Sequence, residues 1–451
     1  MSFTANILTI RPTARSAGSR NIFEKVSIMT DTTDNENYVA EALSAASVVE
    51  NVDKETPLIP INKVGIIGAG TMGGGIAMNF ASVGISVHVI ETQQAALDRG
   101  LATVRGHYER SASRGRFSME EVEARMGRIS GSLAMDDLAD CDLVIEAVFE
   151  NMALKKEIFG RLDGIVKQGA ILASNTSGLD VNEIAAATKR PEAVIGLHFF
   201  SPANVMRLVE IVRGEKTSDA VVLTSVAIAQ KIGKIAVVVG VCPGFVGNRM
   251  LYPRQLQAYA LLRQGAMPWD VDRVLKQFGF KMGPFEMADL AGLDIGWSKG
   301  AKTSDPLRDE LCERDRRGQK TRAGFYDYDE NRVSSPSPVT AELIRSIYQV
   351  DGNATPPSDE DILSTCLYPM VNEGAKILDE KIAQRSSDID VVWIYGYNWP
   401  AATGGPMRWA DEVGLEKVKA KAEKLGEAND WYKPAPLLSK LVGEGRRFAD
   451  L

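Results

Sequence analysis

Histidine and cysteine are scarce in this chain, with three of the first and four of the second among 451 residues. Cys141, Cys242, Cys312 and Cys366 stand far apart with no CxxC pair, so neither a disulfide framework nor a zinc site is signalled. No metal is expected, and a reducing compartment is the natural reading. An excess of basic charge is missing too. The net charge of −7 disfavours a nucleic-acid partner, which would call for a basic stripe to meet phosphates. Nor is there a long unbroken apolar run. The most apolar stretch, residues 221–241, contains Gln230, Lys231 and Lys234, which a membrane span of about 20 residues would not tolerate well. It reads as a helix followed by a strand in a soluble protein, with no membrane partner.

What is present is ordinary for a soluble globular protein: 45% apolar and 25% charged residues, in a length that suggests two to four domains. Residues 1–60 differ from the rest, being dominated by Ser, Thr, Asn and Ala without a persistent hydrophobic period, and are expected to be disordered. Residues 1–23 contain Arg11, Arg15 and Arg20 and no acid, the composition of a mitochondrial transit peptide. Met29, which opens an acidic segment, is an alternative start for a bacterial cytosolic protein. A cytoplasmic location is therefore expected, with the mitochondrial matrix as the alternative. The C-terminal Ala449-Asp450-Leu451 is not a peroxisomal tripeptide.

From residue 61 to 241 short apolar runs such as 64–67, 85–90 and 143–148 alternate with helical stretches at 72–83, 95–110 and from Ser118, where Glu121 completes a capping box. Further strands are expected at 170–175, 194–199, 208–212 and 235–239. This alternation predicts a doubly wound α/β domain. After Cys242-Pro243-Gly244 the strands stop, helical periodicity takes over, and a repeat appears. Gly283-Pro284, Ala288-Asp289 and Gly292-Leu293 recur at Gly405-Pro406, Ala410-Asp411 and Gly414-Leu415, an offset of 122, while Asp270-Val271-Asp272 answers Asp388-Ile389-Asp390 at 118. So wide an offset means a duplicated helical domain, since a solenoid repeats every 20–50 residues. The first copy is set at 242–333 and the second at 358–451, with the Ser- and Pro-rich segment 334–357 as their linker.

Gly68-Ala69-Gly70-Thr71-Met72-Gly73 places GxGxxG between a strand and a helix, where glycines permit a tight turn and close approach to a pyrophosphate at the helix N-terminus. The second strand ends in Glu91, 23 residues after Gly68, where a carboxylate can accept bonds from the adenine ribose hydroxyls. The same carboxylate would repel the 2′-phosphate of NADP. The expected cofactor is therefore NAD.

Among the three histidines, His88 lies inside a strand and His107 in a polar helix, both structural or solvated positions. His198 ends a strand near the carboxyl edge of the sheet, where such folds bind ligands. Twelve residues later, Glu210 on the next strand could orient the imidazole and stabilise its protonated form. The spacing alone also fits a satisfied strand-end histidine.

At these residues the chain resembles the 3-hydroxyacyl-CoA dehydrogenase family. The likeness is carried by Ser174-Asn175-Thr176-Ser177, Gly196-Leu197-His198-Phe199-Phe200-Ser201-Pro202, Leu208-Val209-Glu210 and Pro243-Gly244-Phe245-Val246-Gly247-Asn248-Arg249. It is nearest to the dehydrogenase half of the multifunctional fatty-acid β-oxidation enzymes, whose second helical copy Tyr395-Gly396-Tyr397-Asn398-Trp399-Pro400 matches. The resemblance implies a Rossmann-type domain followed by two tandem all-α C-terminal domains, and NAD-dependent oxidation of an L-3-hydroxyacyl-CoA to the 3-oxoacyl-CoA. It implies His198 as acid/base and Glu210 as its partner, with Ser177 bonding the substrate's C3 oxygen and Asn248 steadying the substrate. Glu150 and Lys155 match positions on the nicotinamide side of the cofactor. Ser201 replaces an Asn of single-function members, which puts its cofactor contact in doubt. The hydratase/isomerase domain that precedes this module in those enzymes has no counterpart in the first 60 residues, so hydratase activity is not expected. The family's CoA-contacting residues have no match between Arg105 and Arg116, although Arg105, Arg110, Arg114 and Arg116 could meet CoA phosphates or form a solvated face. A rival reading, a dehydrogenase of small free β-hydroxy acids, is expected to use a lysine base. A second rival, a non-enzymatic binding protein, need not keep Ser177, His198, Glu210 and Asn248 together. Single-function relatives are expected to dimerise through their one helical domain. Here the second copy would take that place, giving a monomer with an internal pseudo-dimer, its second copy a packing partner without chemistry.

Overall fold

The computed structural model describes residues 32–53, 55–300, 302–351 and 355–451. The reading of residues 1–23 as a transit peptide lies outside them. Eight strands, β1 (Lys63–Ile67), β2 (Ser86–Ile90), β3 (Ile129–Ser132), β4 (Leu143–Glu146), β5 (Ile171–Ser174), β6 (Val194–Phe199), β7 (Leu208–Arg213) and β8 (Ile235–Gly240), form one sheet. Their order is β3-β2-β1-β4-β5-β6-β7-β8. Strands β1 to β6 run parallel, as the buried apolar runs require, and helices cover both faces. The turn after β6 is too short for a crossover, so β7 returns antiparallel to β6 and β8 follows it in parallel. Within residues 221–241, 221–231 belong to helix Asp219–Lys231 and 235–240 form β8. Among the described residues, no helix is long and apolar enough to cross a membrane.

The two helical copies repeat one device. Asp272 accepts the N–H groups of Phe285 (3.1 Å) and Glu286 (2.8 Å) at the start of helix Pro284–Ala291. Asp390 does the same for Met407 (2.7 Å) and Arg408 (3.2 Å) at the start of Pro406–Val413. Free first-turn donors and the positive end of each helix are satisfied in this way. The carboxylates press so close that a Cβ at Gly283 or Gly405 would collide with them, which accounts for the repeated Gly-Pro. Asp289 and Asp411 likewise hold the chain at Phe325–Tyr326 and at Phe448–Ala449.

Two expectations are corrected here. Within residues 1–60, expected to be disordered, Thr32–Ala46 is a helix docked on the second copy. Its buried seam is Asn35, Val39, Ala42 and Ala46, too narrow and too small to show as a hydrophobic stripe. Tyr38 donates to Asp390 Oδ2 at 2.6 Å, the bond that Tyr326 makes to Asp272 at 2.8 Å in the first copy. The second copy has Ala449 where the first has Tyr326, and the N-terminal helix supplies the missing hydroxyl. The expected linker 334–357 is also largely structured. Ser334–Pro336 pairs with Tyr326–Tyr328, and Pro338–Tyr348 is a helix whose cap Ser337 accepts the Thr340 N–H at 3.4 Å. Its serines and prolines are start signals, and Ala341 and Ile344 are buried in the first copy.

Candidate active site

Strand register brings His198 and Glu210 together. His198 on β6 lies directly opposite Glu210 on β7, so both side chains leave the same face, and His198 Nδ1 is 2.7 Å from Glu210 Oε2. Glu210 is fully buried, and its Oε1 accepts the N–H groups of Val246 (3.2 Å) and Gly247 (3.0 Å) at the start of helix Gly247–Leu262. Those donors and the helix's positive end favour negative charge there. With Nδ1 given to a carboxylate, Nε2 is the free nitrogen. No described residue bonds it, and His198 borders a cavity of about 810 Å³.

Ser177, Asn248, Glu150, Met72 and Ser201 border the same cavity. Its other wall, apolar and less expected, comes from the first helical copy through Leu251, Met287, Ala288, Ala291 and Leu293. Glu150 ties the polar side together. Its Oε1 accepts from Thr176 Oγ1 (2.7 Å), the Ser177 N–H (2.7 Å) and Ser177 Oγ (2.9 Å). Burial opposes its charge, but these bonds and the Lys155 ammonium outweigh that, and its carboxyl titrates below the ordinary glutamate range. Lys155 itself does not line the cavity. It is fully buried, 2.7 Å from Glu146 Oε1 and 3.4 Å from Glu150, so it reaches the site through Glu150. Glu146, at the end of β4, escaped the sequence reading because a strand-end acid has no spacing signal of its own.

The glycine loop has room for a dinucleotide. Gly68 has φ +104°, and a Cβ there would come within 2.7 Å of the Ala147 carbonyl. A Cβ on Gly73 would strike the Gly68 carbonyl, whereas Gly70 faces open space. No side chain caps helix Thr71–Ser82, leaving its first N–H groups for phosphate. Glu91 stands after β2 beside Gly70 and Thr71 in a cleft of about 450 Å³, and the Thr92 N–H holds its Oε2 at 2.6 Å. His88 is structural, bonded to Ser130 and Ser132, and His107 pairs with Arg110. Of the basic cluster, Arg105 is bound to Glu123 at 2.5 Å, and Arg114 and Arg116 are exposed.

The family model described as 3-hydroxyacyl-CoA dehydrogenase, NAD binding domain, matches residues 63–242, and its C-terminal domain matches twice, at 244–328 and 362–448. The peroxisomal bifunctional enzyme of Danio rerio is 43% identical over 413 residues, covering 85% of this chain and 56% of its own length. That of Homo sapiens is 41% identical over 413 residues, covering 86% and 57%. The chain thus spans little more than half of these relatives. A solved structure of the dehydrogenase part of multifunctional enzyme 1 from C. elegans has 32% identity and a TM-score of 0.66, covering 92% of this chain and 98% of that one. 3-Hydroxybutyryl-CoA dehydrogenase from Escherichia coli has 26% identity and a TM-score of 0.71, covering 85% and 99%.

Proposed function

The chain belongs to the 3-hydroxyacyl-CoA dehydrogenase family, and we propose that it oxidises L-3-hydroxyacyl-CoA to 3-oxoacyl-CoA in fatty-acid oxidation with NAD as acceptor. The observation that carries this reading is the His198–Glu210 pair opening on the cavity that Ser177 and Asn248 also border. NAD supplies hydride acceptance. Ser177 and Asn248 hold the substrate, His198 Nε2 takes the proton of the 3-hydroxyl, and Glu210 stabilises the resulting imidazolium while keeping Nδ1–H in place. Gly68, Gly70, Thr71, Met72 and Gly73 would cradle the dinucleotide, Glu91 would take its ribose, and Glu150 and Ser201 would border the nicotinamide end, with Lys155 behind Glu150. Among the described residues no lysine lines the cavity, which counts against the free β-hydroxy-acid reading. The described cysteines are free thiols, which suits a reducing compartment such as the cytoplasm.

The test is formation of NADH from 3-hydroxyacyl-CoA substrates of several lengths. NAD should exceed NADP in kcat/KM by at least about tenfold, since about 1.4 kcal/mol of repulsion between Glu91 and a 2′-phosphate suffices. Equal values would show that Glu91 does not face the ribose.

A further inference from the structure

We infer that Tyr397, contributed by the second helical copy, is a positioning residue of the active site that fixes the Asn248 amide for the substrate, an inference resting on the role proposed above for Asn248. Tyr397 closes helix Ser386–Tyr397 and borders the same cavity as His198. Its hydroxyl donates to Asn248 Oδ1 at 2.7 Å, while Asn248 Nδ2 donates to the Ser177 carbonyl at 3.1 Å. A carboxamide has one accepting and one donating end, and its orientation is set by its partners. Flipping Asn248 would set its oxygen against the Ser177 carbonyl and lose the Tyr397 bond as made. In the orientation that keeps both, one N–H of Nδ2 remains for a ligand.

The ring is held as firmly as the hydroxyl. It stacks on Trp393 (4.5 Å between centroids, 26°) and meets Phe200 edge-on (5.4 Å, 89°), and Phe200 in turn lies 4.6 Å from the His198 ring. At Gly247, beside Asn248, a Cβ would come within 2.6 Å of the tyrosine ring, so the bare backbone there lets it approach. Burial, with the charge of Glu210, raises the phenol well above the ordinary tyrosine range, and the hydroxyl keeps its proton. The repeat adds an independent observation. Carrying the offset of 118 forward from Asp270 and Asp388 puts Gly279 of the first copy in register with Tyr397, so at this position of the repeat the large side chain exists only in the second copy. The second copy is then more than the inert packing partner that the sequence suggested.

The experiment compares kcat/KM of the full chain, Tyr397→Phe, Asn248→Ala and the double variant, with NADH affinity by fluorescence titration. Loss of one neutral hydrogen bond predicts a fall of about five- to tenfold for Tyr397→Phe, with unchanged NADH affinity. Asn248→Ala should fall further, and adding Tyr397→Phe to it should cost nothing more. Wild-type kcat/KM in Tyr397→Phe beside an impaired Asn248→Ala would overturn the inference alone. So would penalties that multiply in the double variant, or a weakened NADH affinity, since either marks a general packing role. Wild-type kcat/KM in Asn248→Ala would refute the role of Asn248 itself, and this inference with it.

Discussion

Replacing His198 by glutamine is expected to lower kcat by about two to four orders of magnitude, the range that a positioned acid/base contributes, while NAD affinity stays within about twofold. Glutamine can still bond Glu210, so the strand pair and the buried carboxylate keep a partner. What it cannot do is exchange a proton at the position of Nε2. The glycine loop at Gly68–Gly73 is a separate element, and its pyrophosphate site does not depend on the imidazole. Steady-state kinetics with a parallel NAD titration decide the matter. A folded variant with near-normal turnover would remove His198 from the mechanism.

The second large effect concerns the second helical copy. The chain ended after residue 350, which leaves the first copy its hairpin and helix Pro338–Tyr348, is expected to lose at least about a hundredfold in activity and to dimerise or aggregate. Helix Gly247–Leu262 lies along helix Asp359–Asp379, and Met250, Ala258 and Leu261 on it are fully buried. Removal would expose that face and strip Arg249 of Glu373 (2.8 Å) and Glu380 (2.5 Å). This is the helix whose start holds Glu210 and carries Asn248. The proposed state of the full chain is a monomer near 49 kDa, because the second copy covers the face by which a lone copy would pair. Light scattering and activity on both proteins check this. A full-length dimer beside a soluble, active, monomeric truncation would contradict it.

Much of this was legible in the sequence, for physical reasons that differ from part to part. The glycine loop and parallel strands show because each is a local pattern of permissive backbone and buried apolar runs. The His198–Glu210 pair was only suggested by spacing, since twelve residues fit several turns, and the antiparallel register that puts the two side by side belongs to the sheet. Helix Thr32–Ala46 stayed hidden because Asn35 and two alanines make up three of the four residues of its buried seam. Helix Pro338–Tyr348 was misread because Ser337 and Pro338 serve helix starts and linkers alike. The bond from Tyr397 to Asn248 joins residues 149 positions apart, and no local pattern records it.

The central claim is oxidation of a CoA thioester at C3 by a His198-dependent route, and one assay addresses it most directly. The purified full chain is mixed with NAD and either enantiomer of 3-hydroxybutyryl-CoA, or with free 3-hydroxybutyrate, and NADH and the product are measured together. The account predicts NADH from the L-thioester alone, matched one for one by 3-oxobutyryl-CoA, and its near disappearance in His198→Gln. Equal NADH from the free acid, or an undiminished rate in His198→Gln, would contradict it.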